Sequence, residues 1–167
     1  MRIAFIVDIF PKLSETFILN QITGLLDQGQ EVDIYARRRS AESKIHLDVE
    51  KYCLLERTRY LSYPKNKWLC FAKAIVLLFK GFPKKPKVVL NALNALQIGR
   101  SMASFTMLVQ IFPFLDQGPY DIVHCHFGPN GNLALSIKEV GAIEGKVITS
   151  FYGYDISSYI QQRGKHI

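Results

Sequence analysis

Residues 121–131 read Asp-Ile-Val-His-Cys-His-Phe-Gly-Pro-Asn-Gly, and this stretch decides the fold class. The apolar run with two histidines at alternate positions is typical of a buried parallel strand. The Gly-Pro-Asn-Gly corner leads into a helix-like segment, residues 133–140. Ligands of open α/β sheets bind where such strands end. The stretch therefore predicts an α/β fold, a parallel sheet flanked by helices, with a site at the sheet's carboxyl edge.

The amino end of the chain predicts a βαβ unit. Residues 2–9 and 31–36 are rich in Ile, Val and Phe, as buried strands are. Ser14 is placed to cap the helix between them, and Gly29 suits the end of that helix. Its apolar face recurs at helical spacing, at Phe17, Ile18, Ile22, Leu25 and Leu26. A right-handed crossover is expected.

Further elements follow from the same patterns. Residues 59–63, 120–126 and 146–151 are predicted strands, and residues 88–115 read as one or two helices broken near Gly99 and Arg100. Residues 66–81 read as a helix whose wide apolar face comprises Trp68, Leu69, Ala72, Ile75, Val76 and Phe79.

Length and composition favour one cytoplasmic domain, residues 1–167. A chain of 167 residues with 49% hydrophobic content is large enough for one core and too short for two. The 3 cysteines form no Cys-x-x-Cys pair, which favours reduced thiols. No export signal is visible, and the longest apolar run, residues 68–79, is shorter than the ~20 residues that cross a bilayer.

The net charge of +7 is concentrated in one segment. Residues 57–115 hold ten basic residues and no acidic one, whereas the rest of the chain holds 11 basic and 14 acidic residues. This segment predicts a peripheral contact with an anionic membrane surface, through Lys65, Lys67, Lys80, Lys84, Lys85 and Lys87. Ordinary helices packed on a sheet, with lysines facing water, are the alternative. For the apolar residues of these helices, packing on the sheet is the favoured interpretation. Nucleic acid is not predicted as a partner, because no recognition motif is present.

Polar residues follow two of the predicted strands. Glu15 and its neighbours Ser14 and Thr16 either face a cleft or, in the case of Glu15, complement the helix dipole. Three arginines, residues 37–39, follow the second strand and read as a solvated loop, with phosphate or anionic lipid as the other option.

The central strand offers two histidines on one face. His124 and His126 are two apart, and strand side chains alternate between faces. A zinc site needs three or four ligands, and no spacing supplies them, so no metal is predicted. We expect His124 to be hydrogen-bonded in the core and His126 to face a cleft. Gly128 and Gly131 would let a phosphate or sugar oxygen approach the free N–H groups around Asn132, although plain turn chemistry gives the same pattern.

Four segments carry a resemblance to a known family. They are residues 10–18 (Phe-Pro-Lys-Leu-Ser-Glu-Thr-Phe-Ile), 29–32 (Gly-Gln-Glu-Val), 120–128 (Tyr-Asp-Ile-Val-His-Cys-His-Phe-Gly) and 150–157 (Ser-Phe-Tyr-Gly-Tyr-Asp-Ile-Ser). Together they resemble the N-terminal half of a family 4 retaining glycosyltransferase of the GT-B fold, in the branch of colanic-acid and other exopolysaccharide enzymes. The match runs to about residue 159.

The resemblance implies two Rossmann-like domains separated by a cleft. This chain corresponds to the acceptor-side domain, whereas the C-terminal domain, absent here, would hold the nucleotide-sugar donor. The domain alone would bind no cofactor, no metal would be obligatory, and the missing domain would be supplied in cis or in trans. The acceptor would be a saccharide, or a lipid-linked one, at the inner face of the cytoplasmic membrane.

The resemblance also implies the site residues. Catalytic positions are His126, Tyr152 and Asp155, and acceptor-binding positions are Ser14, Glu15, Thr16, Gly128, Asn130, Gly131 and Gly153. One position departs from the family, which commonly has His where this chain has Tyr152. Tyrosine titrates near ~10 and stays a neutral hydrogen-bond donor. Either the donor or the chemistry is altered, or the activity is impaired.

Two alternative functions remain open at this point. The chain could be a non-catalytic binding module or one half of a split enzyme whose partner chain supplies the donor site. An unrelated flavodoxin-like nucleotide binder is the third possibility.

Overall fold

The sheet has five parallel strands in the order β3-β2-β1-β4-β5. The computed structural model describes residues 1–42, 44–94 and 101–157. The strands are β1 (Arg2–Phe10), β2 (Glu31–Arg39), β3 (Thr58–Tyr60), β4 (Ile122–His126) and β5 (Lys146–Ser150).

Helices cover both faces of this sheet. On one face lie α1 (Thr16–Asp27) and α2 (Leu47–Lys51). The other face carries α3 (Lys67–Gly81), α4 (Pro86–Asn94), α5 (Ser101–Ile111) and α6 (Gly128–Glu139). A short helix, α7 (Gly153–Ile156), follows β5, and 3₁₀ turns occur at Leu13–Glu15 and Phe112–Phe114. The predicted α/β class, a Rossmann-like parallel sheet flanked by helices, is confirmed.

β1 is buried on both of its faces. Ile3, Phe5 and Val7 pack toward α1, whereas Ala4 and Ile6 pack toward the helices of the opposite face. Because neighbouring strands also occupy both edges of β1, every central position of this strand is excluded from water. The unbroken apolar run of the sequence reflects this double burial.

Most predicted elements are confirmed, with three corrections in the first half of the chain. β2 extends to Arg39, so the arginine triplet belongs to a strand and not to a loop, because β1 continues to Phe10 and pairs with it. Ser14 lies inside a 3₁₀ turn, and no side chain caps α1. The third strand is Thr58–Tyr60, shorter than predicted and shifted by one residue.

The apolar face predicted for α3 points mainly to solvent and does not pack on the core. The helix begins after Asn66, whose side chain accepts hydrogen bonds from Trp68 N and Leu69 N, as a cap does. Its buried residues are Cys70, Ala74 and Gly81, on the opposite side of the helix. The predicted break near residues 99 and 100 lies outside the described residues.

No helix formed by the described residues is long and apolar enough to span a bilayer.

A polar network ties the amino edge of the sheet together. Asp33 accepts hydrogen bonds from Arg2 (2.8 Å), Arg59 (3.0 Å) and the hydroxyl of Tyr120 (2.8 Å). Tyr35 and Tyr120 share a further hydrogen bond of 2.8 Å between their hydroxyls. Burial alone would raise the pKa of Asp33, but these partners hold the pKa below its usual range. The network therefore stabilises the charged carboxylate.

Replacing Asp33 by Asn should lower the free energy of unfolding by about 2 kcal/mol at pH 7, because it removes the charge that its donors stabilise. Since the folded pKa is below the unfolded value of ~3.9, this contribution is present above that pH and is lost as the pH falls through the folded pKa. Thermal unfolding of both proteins across the acid range measures the effect, and the difference should shrink at the lowest pH.

The exposed ion pair of Lys84 and Asp116 provides the control. Asp116→Asn should change stability by less than about 1 kcal/mol. Equal losses in the two variants would contradict a special role for Asp33.

Candidate functional site

The candidate site lies at the carboxyl edge of the sheet, between β1 and β4. Chain connections run outward from these two neighbouring strands in opposite directions, toward β3 and toward β5. In open α/β sheets, ligands bind at such a topological switch point. The segments after β1, β4 and β5 meet there, and they are the segments that the sequence singled out.

His126 is the buried centre of this edge. Its ring is fully buried, stacks on Phe5 with 5.3 Å between ring centroids, and shares a hydrogen bond of 2.8 Å between Nδ1 and the Tyr152 hydroxyl. The expectation that His126 faces an open cleft is therefore wrong. Burial, together with the neighbouring His124, lowers the pKa of His126 to about 3. The imidazole is neutral at pH 7.

His124 sits beside His126 and extends the polar network. The two rings have centroids 4.4 Å apart, as expected for alternate residues of one strand. His124 Nε2 shares a hydrogen bond of 2.8 Å with Ser150 Oγ, which confirms its hydrogen-bonded role. Burial lowers the pKa of His124 as well. Within the described ranges, no cluster of His, Cys, Asp or Glu has the geometry of a metal site.

Tyr152 packs over His126 and continues this network. Its ring packs against Phe17 (4.7 Å between centroids) and Phe127 (4.9 Å), and lies parallel to the ring of His126. Burial raises the pKa of Tyr152, so the hydroxyl keeps its proton at neutral pH. This agrees with the sequence-based expectation of a neutral hydrogen-bonding group.

Asp155 joins two of the loops. Its Oδ1 accepts a hydrogen bond from Gly128 N (2.9 Å), and its Oδ2 accepts one from Tyr152 N (2.8 Å). The carboxylate is buried and has both oxygens engaged by backbone. Asp155 therefore fixes the loop after β5 to the start of α6, which is a positioning role.

At the start of α6, the N–H groups of Gly128, Asn130 and Gly131 are engaged within the chain, as the alternative of plain turn chemistry predicts. Gly128 N donates to Asp155, and both Asn130 N (3.1 Å) and Gly131 N (3.3 Å) donate to the carbonyl of Phe127. Residue 129 is proline and has no N–H. A phosphate or sugar oxygen would have to displace groups of the chain itself.

The glycines of this turn are required by packing. A Cβ atom on Gly131 would lie 2.4 Å from Thr149 Oγ1, and one on Gly128 would lie 3.0 Å from a ring carbon of Phe151. Both glycines thus let α6 approach β5 closely. Gly153, by contrast, has open space around its Cβ position.

The residues after β1 divide into exposed and buried ones. Ser14 and Thr16 are exposed, whereas the Glu15 side chain is 11% exposed and accepts a 2.6 Å bond from Lys12 through Oε1. Phe17, which its spacing puts on the apolar face of α1, is 38% exposed and lies against Tyr152. In the sequence, the signal for a site role of Phe17 is its position in residues 10–18, one of the four segments that carry the family resemblance.

Three buried polar atoms at this edge have no hydrogen-bond partner among the described residues: Glu15 Oε2, His126 Nε2 and Asn130 Oδ1. Asn130 is almost fully buried and uses its amide nitrogen to bond the carbonyl of His126 (2.7 Å). Buried polar atoms are normally satisfied. Their concentration at one edge is typical of a place where bound water or a ligand completes the hydrogen bonding.

A basic cavity of about 500 Å³ adjoins the carboxyl ends of β1 and β2. Arg37, Arg38 and Lys65 line it, together with one carboxylate, Asp8, which pairs with Arg38 at 2.5 Å. The arginine triplet thus supplies positive charge to this edge from within a strand.

Three curated proteins are similar in sequence to this chain. The chain is 35% identical over 164 residues to the protein named "Putative colanic acid biosynthesis glycosyltransferase WcaL" of Salmonella typhimurium, and 34% identical over 159 residues to its namesake of Escherichia coli. It is 35% identical over 160 residues to the amylovoran biosynthesis glycosyltransferase AmsK of Erwinia amylovora.

The chain is similar to glycosyltransferases of exopolysaccharide biosynthesis. The matches cover 94–95% of this chain, which spans only 39% of the length of each of these relatives. No protein-family model matches the chain, and no solved structure matches it significantly. The similarity supports the glycosyltransferase resemblance.

Replacing Gly131 by Ala should destabilise the protein by about 2 kcal/mol, because the added methyl group forces α6 away from Thr149. Thermal unfolding measures the loss. Gly153→Ala is the matched control and should be nearly neutral. Adding Thr149→Ala to the Gly131 variant should recover part of the stability, and absence of any recovery would contradict the proposed contact.

The low pKa of His126 predicts that its ring stays neutral from pH 8 to pH 5. Nitrogen chemical shifts of the histidines, followed by NMR, should show no midpoint near the ordinary value of ~6.5 for this residue. The urea-unfolded chain is the control, since all 4 histidines should titrate normally there. A midpoint near neutrality in the folded protein would contradict the burial of His126.

Proposed function

We propose that this chain is the acceptor-side domain of a family 4 retaining glycosyltransferase of the GT-B fold, acting in surface polysaccharide biosynthesis. One observation carries the proposal: segments that are far apart in the sequence, and that carry the resemblance, meet at one edge. His126 bonds Tyr152, and Gly128 bonds Asp155. The similarity to exopolysaccharide glycosyltransferases supports it.

The residues of this edge would form one wall of the reaction cleft. Tyr152, with Phe17 against it, offers an aromatic and neutral polar surface, which suits a saccharide. His126 holds the Tyr152 hydroxyl by a hydrogen bond, and Asp155 fixes the position of the loop after β5. Ser14 and Thr16 are exposed hydroxyls available to an acceptor, and Gly153, next to Tyr152 in the chain, has open space around its Cβ position.

The donor would be held by a second Rossmann-like domain, in cis or in trans. That domain would bind the nucleotide-sugar and stabilise the positive charge that develops on the sugar in an oxocarbenium-like transition state. Catalysis depends on contacts that strengthen in the transition state, and half of them lie in the other domain. The chain alone should therefore bind acceptor and transfer nothing. No metal or cofactor of its own is part of this proposal.

A non-catalytic binding module is the second candidate, and Tyr152 favours it. Where the family commonly has histidine, this chain has a tyrosine whose hydroxyl is engaged by a neutral His126. Neither group exchanges a proton near neutral pH. A split enzyme differs from this candidate in one respect, since a partner chain would restore sugar transfer.

A flavodoxin-like nucleotide binder fits the geometry less well. Such a site uses free N–H groups at a helix start to hold phosphate. At α6 those groups are already bonded to Asp155 and to Phe127.

The acceptor is proposed to be lipid-linked, with the protein bound peripherally to the inner face of the cytoplasmic membrane. The acid-free segment, residues 57–115, supports this placement.

The binding proposal is tested by calorimetric titration of the 167-residue chain. Short oligosaccharides released from an exopolysaccharide should bind, whereas UDP-glucose and UDP-galactose should not. Phe17→Ala should weaken oligosaccharide binding about tenfold, because it removes the aromatic contact beside Tyr152. Glu139→Gln, at the far end of α6, is the control and should change nothing.

Two outcomes would refute the proposal. Tight binding of nucleotides without oligosaccharide binding would favour the flavodoxin-like alternative. Hydrolysis or transfer of a nucleotide-sugar by the isolated chain would show that no second domain is needed.

A further inference from the structure

The outer face of α3 presents large apolar side chains to solvent. Trp68 is 81% exposed, Phe79 74%, Leu69 60% and Val76 52%. We call these four residues the α3 stripe. Single exposed apolar residues are ordinary on protein surfaces, whereas a contiguous patch marks an interaction surface.

Helical geometry places these side chains on one side. With 100° of rotation per residue, positions 68, 69, 76 and 79 point within roughly a third of a turn of each other. The buried residues Cys70, Ala74 and Gly81 lie opposite. The 15-residue helix is about 22 Å long, so the stripe runs along most of its length. α3 is therefore apolar on both its inner and its outer face.

Positive charge borders the stripe. The same rotation puts Lys73 and Lys80 along one margin, and Lys65 and Lys67 lie at the start of the helix. Within the described ranges, none of these four lysines has a carboxylate partner, whereas Lys84 pairs with Asp116. Lys73 instead donates to the carbonyl of Ser62 (3.5 Å). An apolar face bordered by lysines that have no carboxylate partner is typical of helices that lie in the interface of an anionic membrane.

We propose that the α3 stripe inserts into the interfacial layer of an anionic lipid membrane, with Lys73 and Lys80 at the level of the headgroups. This inference rests on the membrane part of the proposed function and deepens it. The sequence predicted attraction of lysines to a charged surface. The structure adds apolar insertion and names the face that enters the lipid.

Charge argues against the two other occupants of the stripe. A second copy of this chain would bring the same lysines together, and like charges repel. A further protein domain would need a matching acidic surface. An anionic membrane supplies both an apolar layer and negative headgroups.

The basic cavity lies beside the start of α3 and fits this orientation. Tyr63 and Lys65, just before the helix, line it together with Arg37 and Arg38 from the end of β2. Positive charge therefore continues from the lysines beside the α3 stripe to the carboxyl edge of the sheet, where the acceptor site is proposed.

Trp68 is the single tryptophan of the chain, and it reports insertion directly. With vesicles of phosphatidylglycerol and phosphatidylcholine, its emission should shift to shorter wavelength and be quenched by brominated acyl chains. Part of the binding should survive 0.5 M salt, because the apolar component is not screened. Pure phosphatidylcholine vesicles should bind at least about tenfold more weakly, because they lack negative headgroups.

Matched variants separate insertion from charge. Leu69→Ser with Phe79→Ser should weaken binding about tenfold or more, whereas Leu47→Ser with Leu135→Ser, also exposed leucines, should not. Lys73→Glu with Lys80→Glu should weaken binding about tenfold, and the charge-matched pair Lys51→Glu with Lys146→Glu should have a smaller effect. Thermal unfolding confirms that each variant is folded.

Three results would overturn the inference. One is the absence of any Trp68 shift with anionic vesicles at low salt. Another is binding that salt abolishes and that Leu69→Ser with Phe79→Ser leaves intact. The third is a shift that depends on protein concentration without lipid, which would assign the stripe to a second copy. The vesicles carry no saccharide, so failure here is distinguishable from failure of acceptor binding.

Discussion

The structure depends on the complete burial of β1. This strand has neighbours on both edges and helices on both faces, so its central residues must all be apolar and none can carry the function. Chemistry is therefore displaced to the point where β1 and β4 end. There the chain turns outward on either side, and polar groups from distant segments meet. The fold and the place of the candidate site follow from the same constraint.

The candidate site is held together by hydrogen bonds between loops. Each carboxylate oxygen of Asp155 accepts a hydrogen bond from a backbone N–H group. The imidazole of His126 and the hydroxyl of Tyr152 are both neutral at pH 7. Around His126 and Tyr152 the edge presents rigid polar and aromatic groups, whereas Arg37 and Arg38 supply positive charge beside them. Such a surface agrees with the proposed binding of an uncharged sugar.

The sequence predicted the elements well and the side-chain environments less well. Strands and helices follow from periodicity, which is a local property, so the βαβ unit and α3 were found from the residues alone. Burial of His126 was not predicted, because it depends on Phe5 and Tyr152, which are remote in sequence. The α3 face was misassigned for the same reason: periodicity finds an apolar stripe and cannot say whether protein covers it. The occupied N–H groups of α6 depend on Asp155, 27 residues away from Gly128.

β5 is an outer strand of the sheet, so one of its edges is open to pairing with another chain. Among the described residues it pairs with β4 alone, and Ile148 and Phe151 are exposed on or beside it. The unpaired backbone groups of such a strand form a template for strand addition by another chain. Concentrated samples should therefore be prone to edge-to-edge oligomerisation, and a charged residue at position 148 would oppose it.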